Sequence, residues 1–253
     1  MKKLFAIAMI IAMVLALPLE AYAKGLVVNK DEEEFLAEVA DIMSSYYTDP
    51  DTAIQALTEI DAYLVDEPSV TTVLEEGNAR GLLPTQYRVS LYCMQRGTDA
   101  TTYYYMWELD TVNGAKEKTP GPLDYISIEW DTDYATYYIA SADNVVSTVQ
   151  SVKTGCVVFN VEDSHFDDVD YAYGSVRVTR IKSGKTRFGS QFVHTYTTWE
   201  LSGSASFQWK KSTEVDEYGF MSIGLEKNYG FIVNVDSNTS EWHRWFDKWV
   251  TLG

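Results

Sequence analysis

From Tyr87 onward hydrophobic residues recur at every second position, and this period decides what a chain of 253 residues like this one can become. Tyr87, Val89, Leu91 and Cys93 alternate with Arg88, Ser90 and Tyr92. Tyr103, Tyr105, Trp107 and Leu109 repeat the pattern, as do Ile126, Ile128 and Trp130. Val157, Phe159 and Val161 follow, then Val176 with Val178, the run Val193 to Trp199, and Phe207 with Trp209. Met221, Ile223 and Leu225 precede a last run of Phe231, Val233 and Val235. Successive side chains on a strand point to opposite faces, so each run offers one apolar face to a core. Asn113-Gly114, Ser183-Gly184, Ser202-Gly203 and Lys227-Asn228 supply turns between them. About nine or ten short strands with this spacing predict a mainly β fold, an antiparallel β-sandwich or jelly-roll-like domain over residues 85–253, rather than a parallel α/β sheet.

A helical period governs the preceding segment. Phe35, Val39, Ile42, Met43 and Tyr46 form one stripe of a helix, with the carboxylates of Asp31 to Glu34 in its first turn, where the helix dipole favours them. Asp49-Pro50 has the chemistry of an N-cap followed by a first helical residue. The second helix predicted there has Ile54, Leu57, Ile60 and Leu64 on its buried face and is limited by Pro68. A third short helical turn is predicted from Ser69 to Glu76, with Gly77 as its cap. Short helices cannot bury their stripes alone, so residues 24–84 are expected to form an acidic helical segment, a short N-terminal helical hairpin packed on the main domain. Residues 240–250 are predicted to close the chain as a C-terminal helix, because Trp242, Trp245, Phe246 and Trp249 fall on one helical face. Three tryptophans exposed together are rarely tolerated, so that stripe is expected to pack on the sandwich.

Residues 1–23 have the form of a secretory signal peptide. Lys2 and Lys3 precede an apolar run from Leu4 to Leu17, Pro18 breaks it, and Ala21-Tyr22-Ala23 supplies small residues around a cleavage point. No other segment is apolar enough to span a bilayer, so an exported protein is expected, secreted to the extracellular space or held in the periplasm, with no stable membrane span once the signal is cleaved. Lys and Arg number 20 against 37 Asp and Glu, a net charge of −17 that argues against a nucleic-acid partner. The charge is uneven: residues 24–84 carry 14 acids and 3 bases, and residues 85–253 carry 22 acids and 15 bases.

Most catalytic signatures are absent, including the nucleophile elbow, the paired histidines of zinc hydrolases and phosphate-cradling glycine loops. His165, His194 and His243 are far apart, and His194, set within a strand, is expected to be structural. The candidate catalytic residues are Glu129, Asp131 and Asp133, which share one face if the strand continues through them. The sequence Glu129-Trp130-Asp131-Thr132-Asp133 resembles the acidic strand motif of jelly-roll β-glucanases but lacks its second Glu. That resemblance implies a retaining polysaccharide hydrolase in which Glu129 works with a partner carboxylate. The bland alternative is a solvated strand face running into a turn.

Asp163, Asp167, Asp168 and Asp170 are candidate metal ligands for a structural calcium, a cation that takes six to eight oxygens. They serve equally well as an acidic surface turn. Cys93 and Cys156 are a possible disulfide in an exported chain, or two buried thiols. Arg177, Arg180, Lys182, Lys185 and Arg187 lie in eleven residues without an acid, a basic hairpin suited to an anionic surface polymer, to the protein's own acidic helices, or to guarding a strand edge. Aromatic residues make up 14% of the chain, and Tyr103-Tyr104-Tyr105-Met106-Trp107 places rings on both sheet faces, where they can stack on sugars or pack beneath helices. The expectation is a non-enzymatic extracellular binding module whose partner is a glycan or a protein. A polysaccharide hydrolase is the alternative, and a structural or interaction protein the third reading.

Overall fold

The computed structural model describes residues 30–74, 86–111, 123–162, 171–197, 203–211 and 229–253. The signal segment 1–23, His165 and the strand expected at Met221, Ile223 and Leu225 lie outside the described residues. In chain order the elements begin with helices α1 (Lys30–Ser44) and α2 (Pro50–Glu59) and strands β1 (Ala62–Leu64), β2 (Ser69–Leu74), β3 (Gln86–Arg96) and β4 (Thr102–Thr111). Strands β5 (Asp124–Trp130), β6 (Ala135–Ala142), β7 (Ser147–Lys153), β8 (Cys156–Val161) and β9 (Tyr171–Arg180) follow. The last four are β10 (Gly184–Thr197), β11 (Ala205–Lys211), β12 (Tyr229–Val235) and β13 (Thr239–Leu252).

Their pairing is antiparallel throughout. The first sheet runs β1-β3-β4-β9-β6, with β2 also paired to β3; the second runs β13-β10-β5-β8-β7; β11 and β12 form a separate ribbon. The two large sheets enclose one core, to which the alternating residues contribute as the period demands: Leu91 and Trp107 from the first sheet, Ile128 and Phe159 from the second. Rings cross the gap between them. Tyr105 stacks on Phe188 with centroids 4.6 Å apart, and Trp107 meets Phe159 edge-on at 5.5 Å. Trp107 also dictates a glycine. A Cβ on Gly174, its neighbour across the β4–β9 ladder, would lie 2.4 Å from the indole nitrogen.

Both outer faces are covered as well. Phe35, Leu36, Val39 and Met43 of α1 and Leu57 of α2 cover Tyr92, Met94, Tyr104 and Met106 on the first sheet. Phe231 and Val233 of the ribbon cover Tyr125, Cys156, Val158 and Val193 on the second. Eight consecutive residues of β4, Tyr103 to Asp110, are buried for this reason, with both strand faces removed from water.

Three expectations about elements are corrected. Residues 239–252 form strand β13, not a helix, and pair with β10 over its whole length. Aromatic and β-branched residues suit a pleated surface, and a 14-residue ladder outweighs the amphipathic spacing that suggested a helix. Phe246, Val250 and Leu252 join the core, while Trp249 faces solvent. Ser69–Leu74 is strand β2 rather than a helical turn, in keeping with β-branched Val70, Thr71, Thr72 and Val73. Helix α2 stops at Glu59, so Leu64 lies on β1, and Ile54 is 47% exposed instead of facing the core. Its start follows the sequence: the Thr52 amide donates to Asp49 Oδ1 at 3.1 Å, with Pro50 as the first helical residue.

Candidate functional site

The acidic strand motif does not assemble an accessible site. β5 ends at Trp130, and Asp131 to Tyr134 form a turn in which the Asp133 amide donates to Asp131 Oδ1 at 2.9 Å. Asp131 and Asp133 therefore do not extend the face of Glu129. Glu129 is only 2% exposed, and its Oε1 accepts from Ser127 Oγ at 3.2 Å. Burial pushes its carboxyl up to about 8, so it is a neutral acid at pH 7 and out of reach of a polymer. Its ladder partner Cys156 is also buried, and loss of water, with the nearby Glu129 adding to it, raises that thiol above its ordinary range.

Both cysteines are free and buried, so of the two arrangements open to them the structure has the pair of buried thiols and not the disulfide. Cys93 belongs to the core between the large sheets and Cys156 to the cluster beneath the ribbon, so two different layers hold them. Asp163, Asp167, Asp168 and Asp170 lie outside the described residues. Among the described residues no group of three or more His, Cys, Asp and Glu side chains is placed to hold a metal.

His194 has a partner that its sequence neighbours do not announce. Its Nδ1 lies 2.7 Å from Oδ2 of Asp124, seventy residues earlier, and both side chains are completely buried. Oδ1 of the same carboxylate accepts the Thr195 amide at 2.7 Å. The pair ties β10 to the start of β5, with the His194 ring packed on Tyr87 at 5.0 Å, so it serves the sandwich. Only register, invisible before strand pairing is known, brings these residues together.

The basic hairpin divides into two parts. Arg177 belongs to the helical layer: its guanidinium meets Glu32 of α1 at 2.7 Å and lies 4.5 Å over the Tyr138 ring. The remaining cations gather around the β9–β10 turn. The Ile181 amide donates to the Tyr134 carbonyl at 2.8 Å, and Lys182 sits 4.8 Å over the Tyr134 ring. Across the β10–β13 ladder Arg187 faces Trp249, and Lys185 faces Thr251. Lys185 and Arg187 lie 5.2 and 5.9 Å from the Trp249 ring centre. Arg187 is partly neutralised by Asp247 at 2.8 Å, whereas Arg180, Lys182 and Lys185 make no ion pair among the described residues. Trp249 is 51% exposed and Ile181 62% exposed, so this end of the molecule presents cations around accessible apolar side chains. The cations were legible in the sequence. Trp249 was not, because a helical reading sends it inward.

The aromatic run offers no second platform, since Tyr103, Tyr104, Tyr105 and Trp107 are all buried. No described helix is long and apolar enough to cross a membrane. No family model matches the sequence, and no curated protein matches it. Among solved structures, the Clostridium perfringens delta-toxin is 6% identical over 76% of this chain and 98% of its own, with a TM-score of 0.37. A protein described as pore forming is 8% identical over 74% of this chain and 95% of its own, with a TM-score of 0.29. The Clostridium perfringens NetB toxin in its membrane-inserted form is 6% identical over 72% and 96%, with a TM-score of 0.28. At such low identity and TM-score these likenesses decide neither the fold nor the activity of this chain.

Proposed function

We propose that this chain is an exported, non-enzymatic binding module that holds an anionic glycan on the basic shelf formed by the β9–β10 turn and β13. One observation carries the reading: Trp249 keeps half of its surface open to water while Lys185 and Arg187 flank its ring. A flat indole stacks on the apolar face of a sugar, and neighbouring cations meet carboxylate or sulfate groups that a neutral glycan lacks. The protein as a whole is strongly acidic, so an anionic polymer is repelled elsewhere and oriented toward this end. Hydrolysis is not part of the reading, because Glu129 is buried and the two aspartates lie in a turn.

The test is titration of the chain lacking residues 1–23 with polygalacturonate and with an uncharged glucan. Binding to the polyuronate is expected, weakening as salt rises, with Trp249→Ala and the pair Lys182→Glu/Lys185→Glu each lowering affinity about tenfold or more at unchanged melting temperature. Equal affinity for the neutral glucan, or full affinity in both variants, would overturn the reading.

A further inference from the structure

A cleft of about 390 Å³ lies where the end of α1, α2 and β1 meet. Its volume falls within the range of roughly 300–1,000 Å³ typical of small-molecule sites. Ile54, Leu57 and Leu64 give it apolar walls, Tyr46 and Tyr63 line it with rings, and Asp66 and Glu67 bring carboxylates. Ile54 at 47% exposure and Tyr63 at 38% are among the large apolar side chains that stand open to solvent in the described residues. Glu67 is close enough to Tyr46 to add to the effect of burial in raising its phenol. Lys248 stands 3.8 Å from Asp66 and donates to the Glu67 carbonyl, countering part of the local charge. The wider field remains negative, since residues 30–74 contain twelve acids and a single base, Lys30.

We infer that this cleft binds an organic ammonium ion carried on an apolar body, with the cation against the Tyr46 and Tyr63 rings and near the Asp66 and Glu67 carboxylates. The chemistry excludes the neighbouring ligand classes. An anion meets the acidic field of the helices and is repelled. A neutral apolar ligand fills the walls but brings no charge to the Glu67 carboxylate and the ring faces, whereas Asp66 already has Lys248 beside it. Among the described residues no group of three or more His, Cys, Asp and Glu side chains is placed here to hold a metal ion. An alkylammonium satisfies each part, because its charge is weakly hydrated, its methyl groups pack on ring faces, and its body covers Ile54 and Leu64. The cleft takes a ligand of opposite charge to the glycan and uses other residues, so this inference does not rest on the glycan reading.

The experiment compares choline with its uncharged carbon isostere, 3,3-dimethylbutan-1-ol, by NMR titration of the intact secreted chain. Choline is expected to bind saturably at one site, and the isostere about tenfold more weakly or worse, since it fills the same volume without charge. Asp66→Asn/Glu67→Gln, which preserves shape, and Tyr63→Ala, at a half-open position, are each expected to lower choline affinity about tenfold, with the melting temperature held in Tyr63→Ala, which leaves the Lys248–Asp66 contact in place. Polygalacturonate binding is expected to be unaffected by these changes. Absence of saturable choline binding, equal affinity for the isostere, or wild-type affinity in the double variant would overturn the proposal.

Discussion

Two buried carboxyls show how far single residues depart from their solution chemistry. Glu108 and Glu129 are each 2% exposed, and loss of water pushes both up to about 8. For Glu108 the neighbouring Asp110 adds to the rise and Arg88 opposes it. A carboxyl whose pKa is raised on folding binds a proton that the unfolded chain has already released. The stabilisation is complete below the ordinary Glu pKa of about 4.3 and is lost as pH climbs toward 8. Stability is therefore expected to fall across that window. Glu129→Gln, which keeps the shape and abolishes the ionisation, is expected to flatten the slope and to make the protein more stable than wild type by about 1–3 kcal/mol at pH 8. Urea unfolding at pH 5 and pH 8 measures both effects, and parallel pH profiles for the two proteins would contradict the assignment. Nothing in the local sequence reveals this burial. Glu129 sits on an alternating strand whose outward face looks solvated, and only the layers of the fold show otherwise.

At the scale of elements, β13 is the instructive case. Its sequence satisfies two periods at once, since Trp242, Trp245, Phe246 and Trp249 make a helical stripe while Phe246, Val250 and Leu252 fit a strand with a second face carrying Trp249. Local spacing cannot choose between them, and the 14-residue partner β10 does. The two patterns predict opposite outcomes at Trp249. With the strand, Phe246→Ala removes a core ring and is expected to cost about 3–5 kcal/mol. Trp249→Ala removes an exposed ring and is expected to cost under about 1 kcal/mol. Chemical denaturation of both variants checks this, and comparable losses at the two positions would favour the buried stripe of a helix. β4 teaches the complementary lesson. Its alternation between Tyr103 and Leu109 was plain, whereas burial of its second face required the helices above it.

At the scale of the whole molecule, four layers are stacked: helices, first sheet, second sheet and ribbon. The outer layers are attached mainly by the clusters around Tyr104 and Tyr125. Arg177 is one charged anchor of the helical layer, joined to Glu32, a side chain only 11% exposed. Removing one partner from such a pair leaves the other buried and uncompensated. Arg177→Met is expected to destabilise the helical layer by about 2–4 kcal/mol, and Glu32→Gln by less, because an amide retains a hydrogen bond to the guanidinium. Hydrogen exchange reads the effect by location: amides of residues 30–59 are expected to lose protection in Arg177→Met while those of β4, β5 and β10 keep theirs. Equal loss across the sandwich would show that the helices and sheets unfold as one unit.

The strand-rich character of the chain, the helical stripe of α1, the Asp49-Pro50 start of α2 and the concentration of cations at the β9–β10 turn were all legible in the order of the residues. Each is written in local spacing or composition, where side-chain geometry acts within a few residues. The tertiary structure decided which of two periods β13 follows, that the cysteines lie in different layers, and that Asp124 supports His194. It also decided that Glu129 is sealed while Trp249 is open. Those outcomes depend on strand register and on which faces the outer layers cover, and both arise from contacts between residues far apart in the chain.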